Sequence, residues 1–94
     1  MTVAEFQRLI EDIYFAKDSA RGLHASFAWL VEEVGELARA IRHGDRGNLP
    51  EEFADVFAWL CTTASIAGVE LEEAVQRYRE GCPKCHGTPC KCPE

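Results

Sequence analysis

The chain has 94 residues and a mass of 10.5 kDa, room for one domain. Sixteen acidic against ten basic residues leave a net charge of −6, which repels phosphate backbones and argues against a general nucleic-acid binder. No apolar run approaches the roughly 18–20 residues of a membrane span, and the segment Met1 to Lys17 carries acids where a signal peptide needs bases, so no membrane contact and a cytoplasmic location are expected.

Residues 1–80 read as a helical module and residues 81–94 as a separate, irregular tail. Thr2 followed by Glu5 is a capping-box pattern. The helix it opens carries Phe6, Ile10, Ile13 and Tyr14 at helical spacing and ends near Gly22. A second helix runs from about His24 to Arg42, with a main apolar stripe of Phe27, Leu30, Val31, Val34, Leu37, Ala38 and Ile41. Gly44 to Asn48 is turn chemistry. Pro50 suits the first turn of a third helix, where Glu51 and Glu52 meet the positive end of the dipole. Its stripe is Phe53, Val56, Phe57, Leu60, Ala64 and Ala67, and Gly68 closes it. A short fourth helix is expected over Glu70 to Glu80. Alternating strand patterns are absent, so the fold class is all-α.

Helices two and three each carry a second face. At about 100° per residue, Trp29, Glu33, Glu36 and Ala40 share one side of helix two, and Glu52, Asp55, Trp59 and Ile66 share one side of helix three. The i, i+3 spacing lets the two carboxylates of each pair converge. The short connector makes the helices an antiparallel hairpin, with Glu36 expected level with Asp55 and Glu33 one turn further on. Four clustered carboxylates repel one another unless a cation neutralises them, and hard oxygen donors suit Mg²⁺ or Mn²⁺. A di-iron bundle needs Glu-x-x-His, whereas Arg21, Ala40 and Pro83 precede His24, His43 and His86 by three. Two plainer alternatives stand beside the metal site: a solvated acidic face, and tryptophans that mark a second packing surface.

The stretches WLVEEVGELARAIRHGD and LPEEFADVFAWL resemble the MazG-like nucleotide pyrophosphohydrolase family, whose signature is Glu-x-x-Glu, a spacer, then Glu-x-x-Asp. Here these are Glu33 and Glu36, fifteen residues, then Glu52 and Asp55. The likeness covers roughly residues 5–80. It implies Mg²⁺ on the four acids and a nucleoside triphosphate held through that ion. Water then attacks the α-phosphorus to give the monophosphate and pyrophosphate. Glu36 or Glu33 is implied as the proton acceptor. Phosphoribosyl-ATP pyrophosphohydrolase resembles the same fold and reaction and ranks lower, because the EVGEL and AWL segments are more like the MazG group. Trp29 and Trp59 are candidates to stack on a base, and Lys17, Arg21 and Arg39 to meet phosphate oxygens. For these five, packing or plain solvation is the competing explanation.

Larger family members pair two such modules or have longer helices. A single module this small leaves apolar surface uncovered, so a homodimer or homotetramer is expected. A non-catalytic Mg²⁺-nucleotide regulator and a zinc-tailed interaction module are the alternatives to an enzyme.

The tail, GCPKCHGTPCKCPE, holds four of the five cysteines. Cys82, Cys85, Cys90 and Cys92 could close on one structural Zn²⁺, with His86 a possible substitute ligand. Some small MazG-like proteins are similar in ending with Cys-Pro-x-Cys. A disordered tail with reactive thiols is the alternative. Cys61 reads as a small buried hydrophobe.

Overall fold

The computed structural model describes every residue except Asp45. Its helices are α1 (Val3–Arg21), α2 (Leu23–His43), α3 (Leu49–Ile66) and α4 (Leu71–Ala74), the last continued by one 3₁₀ turn, Val75–Tyr78. No strand occurs among the described residues. No single helix there is long and apolar enough to cross a membrane, although α3 and the segment Leu71–Tyr78, bent by 99°, pass together by length and composition.

The ends of the helices follow from local chemistry. Thr2 Oγ accepts from the Glu5 amide at 3.0 Å and the Thr2 amide donates to Glu5 Oε1 at 2.8 Å, a complete capping box. Gly22 has φ 85°, a left-handed value that side-chain-bearing residues resist, and turns the chain from α1 directly into α2. Gly44 closes α2 in the αL conformation, its amide bonding back to Ile41 O at 3.1 Å. Pro50 lies in the first turn of α3, with Glu51 and Glu52 beside it.

α2 and α3 form the expected antiparallel hairpin, and α1 packs across α3. The hairpin closes on the face that carries the acids and tryptophans. Ser26 and Ala40 of α2 and Thr62 of α3 are buried on that side, while Cys61 and Ala64 are buried on the opposite side of α3. Phe27, Val31, Val34, Ile41 and Phe53, all from the two main apolar stripes, point outward and are about half exposed. Small and polar side chains let the helices approach closely on the inner face. The bulky side chains of Phe27, Val31, Val34, Ile41 and Phe53 are left on the outer face.

The fourth helix is shorter than its sequence pattern suggests. Four α-helical residues and a 3₁₀ turn replace the expected span from Glu70 to Glu80. Val75 and Tyr78 are exposed, so this segment lacks the packed face from which a short helix draws most of its stability.

Gln7 ties α1 to the α3–α4 turn. Its amide nitrogen donates to Ser65 Oγ at 3.0 Å and Val69 O at 2.9 Å, and its Oε1 accepts from the Leu71 amide at 2.9 Å.

Candidate metal centre

α2 supplies Glu33 and Glu36 to the inner face of the hairpin, and α3 supplies Glu52 and Asp55. Glu33, Glu52 and Asp55 each offer a carboxylate oxygen, and the three lie within 4.8 Å of one another. Glu36 stays outside this trio. Counting outward from the connector puts Glu36 level with Asp55, but it is the Glu33 carboxylate that meets Glu52 and Asp55.

The electrostatics of the trio are unfavourable without a cation. Burial first, and then the facing charges of Asp55, Glu52, Glu36 and Glu32, push the Glu33 carboxyl above its ordinary 4.5. Glu52 Oε1 accepts from Asn48 Nδ2 at 3.0 Å. Its Oε2 is buried and has no hydrogen-bond partner. A buried acceptor left bare is costly, and a hard cation bound between the acids removes the cost. The donor set therefore fits Mg²⁺ or Mn²⁺: carboxylate oxygens from two helices, without imidazole or thiolate.

A cavity of about 250 Å³ adjoins Asp55 on the α1 side, lined in part by Tyr14, Lys17, Arg21 and Trp59. Lys17 and Arg21 thus reach the same space as one of the acids. Arg39 is exposed and takes no part in this lining. Trp29 and Trp59 stack on each other across the hairpin, ring centroids 6.0 Å apart and planes 17° from parallel. The Arg21 guanidinium lies 4.8 Å from the Trp59 centroid.

Three polar residues that the sequence pattern did not single out hold this corner together. Asp18 is buried, and its Oδ1 pairs with Arg21 Nη1 at 2.9 Å while its Oδ2 accepts from Thr62 Oγ1 at 2.9 Å. Ser26, fully buried, accepts a longer bond from Arg21 Nη1 at 3.4 Å. Arg21 is therefore a fixed cation at the cavity wall, oriented before any ligand arrives. A signal was present in the sequence: an acid in the last turn of a helix opposes the dipole and calls for a partner.

The tail gathers its thiols at one point. The sulfurs of Cys82, Cys85, Cys90 and Cys92 all lie within 4.8 Å of one another, and no His86 nitrogen joins them. Hydrogen bonds from the Lys91 and Gly87 amides hold the Cys85 thiol down at about 6. The neighbouring sulfurs of Cys90, Cys82 and Cys85 push Cys92 up to about 11. Cys61 is fully buried, and burial pushes its thiol up.

The family described as MazG nucleotide pyrophosphohydrolase domain matches residues 21–86, a span that contains Glu33, Glu36, Glu52 and Asp55. No curated protein matches the chain.

Proposed function

The chain belongs to the MazG nucleotide pyrophosphohydrolase domain family, and on that premise we propose that it hydrolyses a nucleoside triphosphate to the monophosphate and pyrophosphate with the help of Mg²⁺. The observation that carries the metal part of this reading is the convergence of Glu33, Glu52 and Asp55 around a buried, unpartnered Glu52 oxygen. Mg²⁺ held there supplies charge neutralisation at phosphate oxygens and a more acidic bound water.

The chain's own residues account for the rest. Glu52 and Asp55 from α3, with Glu33 from α2, hold the ion between the helices. Glu36 stands close enough to raise Glu33 and is free to carry a hydrogen bond to water. Glu36, outside the trio, is the unligated acid of the set and is placed to take the proton of the attacking water. Arg21, fixed by Asp18, and Lys17 border the cavity beside Asp55, where they meet phosphate oxygens. Trp59 borders the same space, its ring held by the stack with Trp29 and by the Arg21 guanidinium over it. The net charge of −6 does not oppose such a substrate, because a cation held by Glu33, Glu52 and Asp55 would offset the local negative charge. The activity serves nucleotide-pool housekeeping in the cytoplasm, and the enzyme works as a homo-oligomer.

A panel of ribo- and deoxyribonucleoside triphosphates with Mg²⁺, with products identified, tests the proposal. Pyrophosphate and the matching monophosphate are expected from at least one nucleotide. Glu52→Gln is expected to lower turnover by at least about 100-fold, the scale of losing one key electrostatic contact to the transition state. Absence of pyrophosphate from every nucleotide, or full turnover by the variant, would overturn the proposal.

A further inference from the structure

The tail holds four thiols for which the hydrolytic chemistry has no use. Cys82 Sγ and Cys92 Sγ are 3.7 Å apart, and Cys85 Sγ and Cys90 Sγ are 3.9 Å apart. Four sulfurs at about 2.3 Å from a tetrahedral zinc ion are spaced about 3.8 Å from one another. Both distances match that edge. They are far from the roughly 2.05 Å of a disulfide.

The backbone is shaped around the same point. The Cys82 amide donates to Gly87 O at 3.1 Å, and the His86 amide donates to Cys82 O at 2.7 Å, which closes the loop between the first two cysteines and Gly87. The Lys91 amide points at Cys85 Sγ and the Cys92 amide at Cys90 Sγ, each at 3.3 Å. Amide donors aimed at sulfur favour the thiolate that a metal needs. A Cβ on Gly87 would come within 2.7 Å of Pro89 O and 3.4 Å of Cys85 Sγ, so the loop has no room for a side chain there.

We propose that Cys82, Cys85, Cys90 and Cys92 bind one Zn²⁺ in a tetrahedral structural site that closes the tail into a knuckle after the helical module. Cys82 and Cys85 lie within the family match and Cys90 and Cys92 beyond it, since it ends at residue 86. The two clusters divide metals by softness: carboxylates take the hard ion and thiolates the zinc. A tetrathiolate also suits iron. Cys85 and Cys90 are exposed, and a redox-inert ion tolerates that exposure where iron is open to oxidation.

The test uses the full chain, produced with zinc and iron both supplied and purified with a thiol reductant. Elemental analysis should give one zinc per chain, retained in Glu52→Gln and lost in Cys90→Ser. Exchange with Co²⁺ should produce the visible bands of tetrahedral thiolate cobalt in the unmodified chain, a readout that does not depend on any variant folding. Gly87→Ala should weaken zinc retention in competition with a chelator. Four free thiols that take up no zinc under reductant, iron in place of zinc, or zinc retained by both Cys85→Ser and Cys90→Ser would overturn the site. None of these readouts measures hydrolysis, so the knuckle and the proposed activity stand or fall separately.

Discussion

Asp18 sits in the last turn of α1, where the dipole disfavours an acid, yet it is among the most buried side chains of the molecule. Its two oxygens are fully used, one by Arg21 and one by Thr62. Asp18→Ala leaves the guanidinium without its counter-charge and the threonine hydroxyl without its acceptor. The expected cost is about 2 kcal/mol, read as a lower urea midpoint with the slope unchanged; an unmoved midpoint would mean that the bridge contributes nothing. Glu33 calls for the opposite sign. Glu33→Gln removes one of the mutually repelling acids, so the metal-free variant should melt above the parent protein. The rise in melting temperature on adding Mg²⁺ should shrink. A merely solvated acid would change neither value. Spacing alone made the four acids legible, because a helix repeats and i, i+3 pairs must share a face. It did not reveal which three of them converge, since the offset between α2 and α3 is set by packing that no pattern on one helix encodes. Asp18, Ser26 and Thr62 were hidden for a related reason: each is an unremarkable polar residue until the partner helix is in place.

At the scale of elements, α1 is fixed at its start by a cap and in its second turn by the polar clasp of Gln7. Thr2→Ala should cost about 1 kcal/mol. The cap also has a pH signature. The Thr2 amide first, and the Thr2 hydroxyl second, hold the Glu5 carboxyl below its ordinary 4.5. A depressed folded pKa means that the contribution is present above 4.5 and fades as pH falls through the folded value. An NMR titration of Glu5 should give a midpoint below 4.5. In Thr2→Ala the midpoint should move up without reaching 4.5, because the amide donor remains; an ordinary midpoint in the parent chain would rule out the capping box in solution. Gln7 satisfies Val69 O and the Leu71 amide. Gln7→Leu strands both groups and should cost about 2–3 kcal/mol, with faster amide exchange at Leu71 as the local readout. The ends of α1, α2 and α3 were readable because Thr2, Gly22, Gly44 and Pro50 act through their own backbone chemistry. The short helix expected over Glu70 to Glu80 is present only as Leu71–Ala74 with a 3₁₀ turn, Val75–Tyr78. Its sequence has helical spacing, but Val75 and Tyr78 have nothing to pack against.

For the molecule as a whole, the surface does not match the mass. A compact chain of 10.5 kDa exposes roughly 5,400 Å², but this one exposes 7107 Å². Its radius of gyration is 15.6 Å, against roughly 12 Å for a compact domain of this length. The exposed tail takes part of that excess. The rest includes side chains of the two main apolar stripes, Phe27, Val31, Val34 and Ile41 on α2 and Phe53 and Leu60 on α3, all exposed. The buried apolar residues among those described are Ile10, Ala40, Cys61 and Ala64, too little to hold such a fold unaided. A second copy of the same hairpin would supply a face of the same character, and a symmetric pair would cover both. A stable pair needs about 800 Å² from each partner, which the roughly 1,700 Å² excess of surface accommodates. Light scattering at micromolar concentration should therefore give at least twice the chain mass, and the melting temperature should rise with protein concentration. Val31→Glu, on a side chain 54% exposed, would shift stability by no more than about 0.5 kcal/mol if that surface faced water. At a buried interface it should instead yield monomer and abolish the concentration dependence. A monomeric parent chain, or a Val31→Glu variant that assembles as the parent does, would show that the apolar face is not where the missing core is supplied.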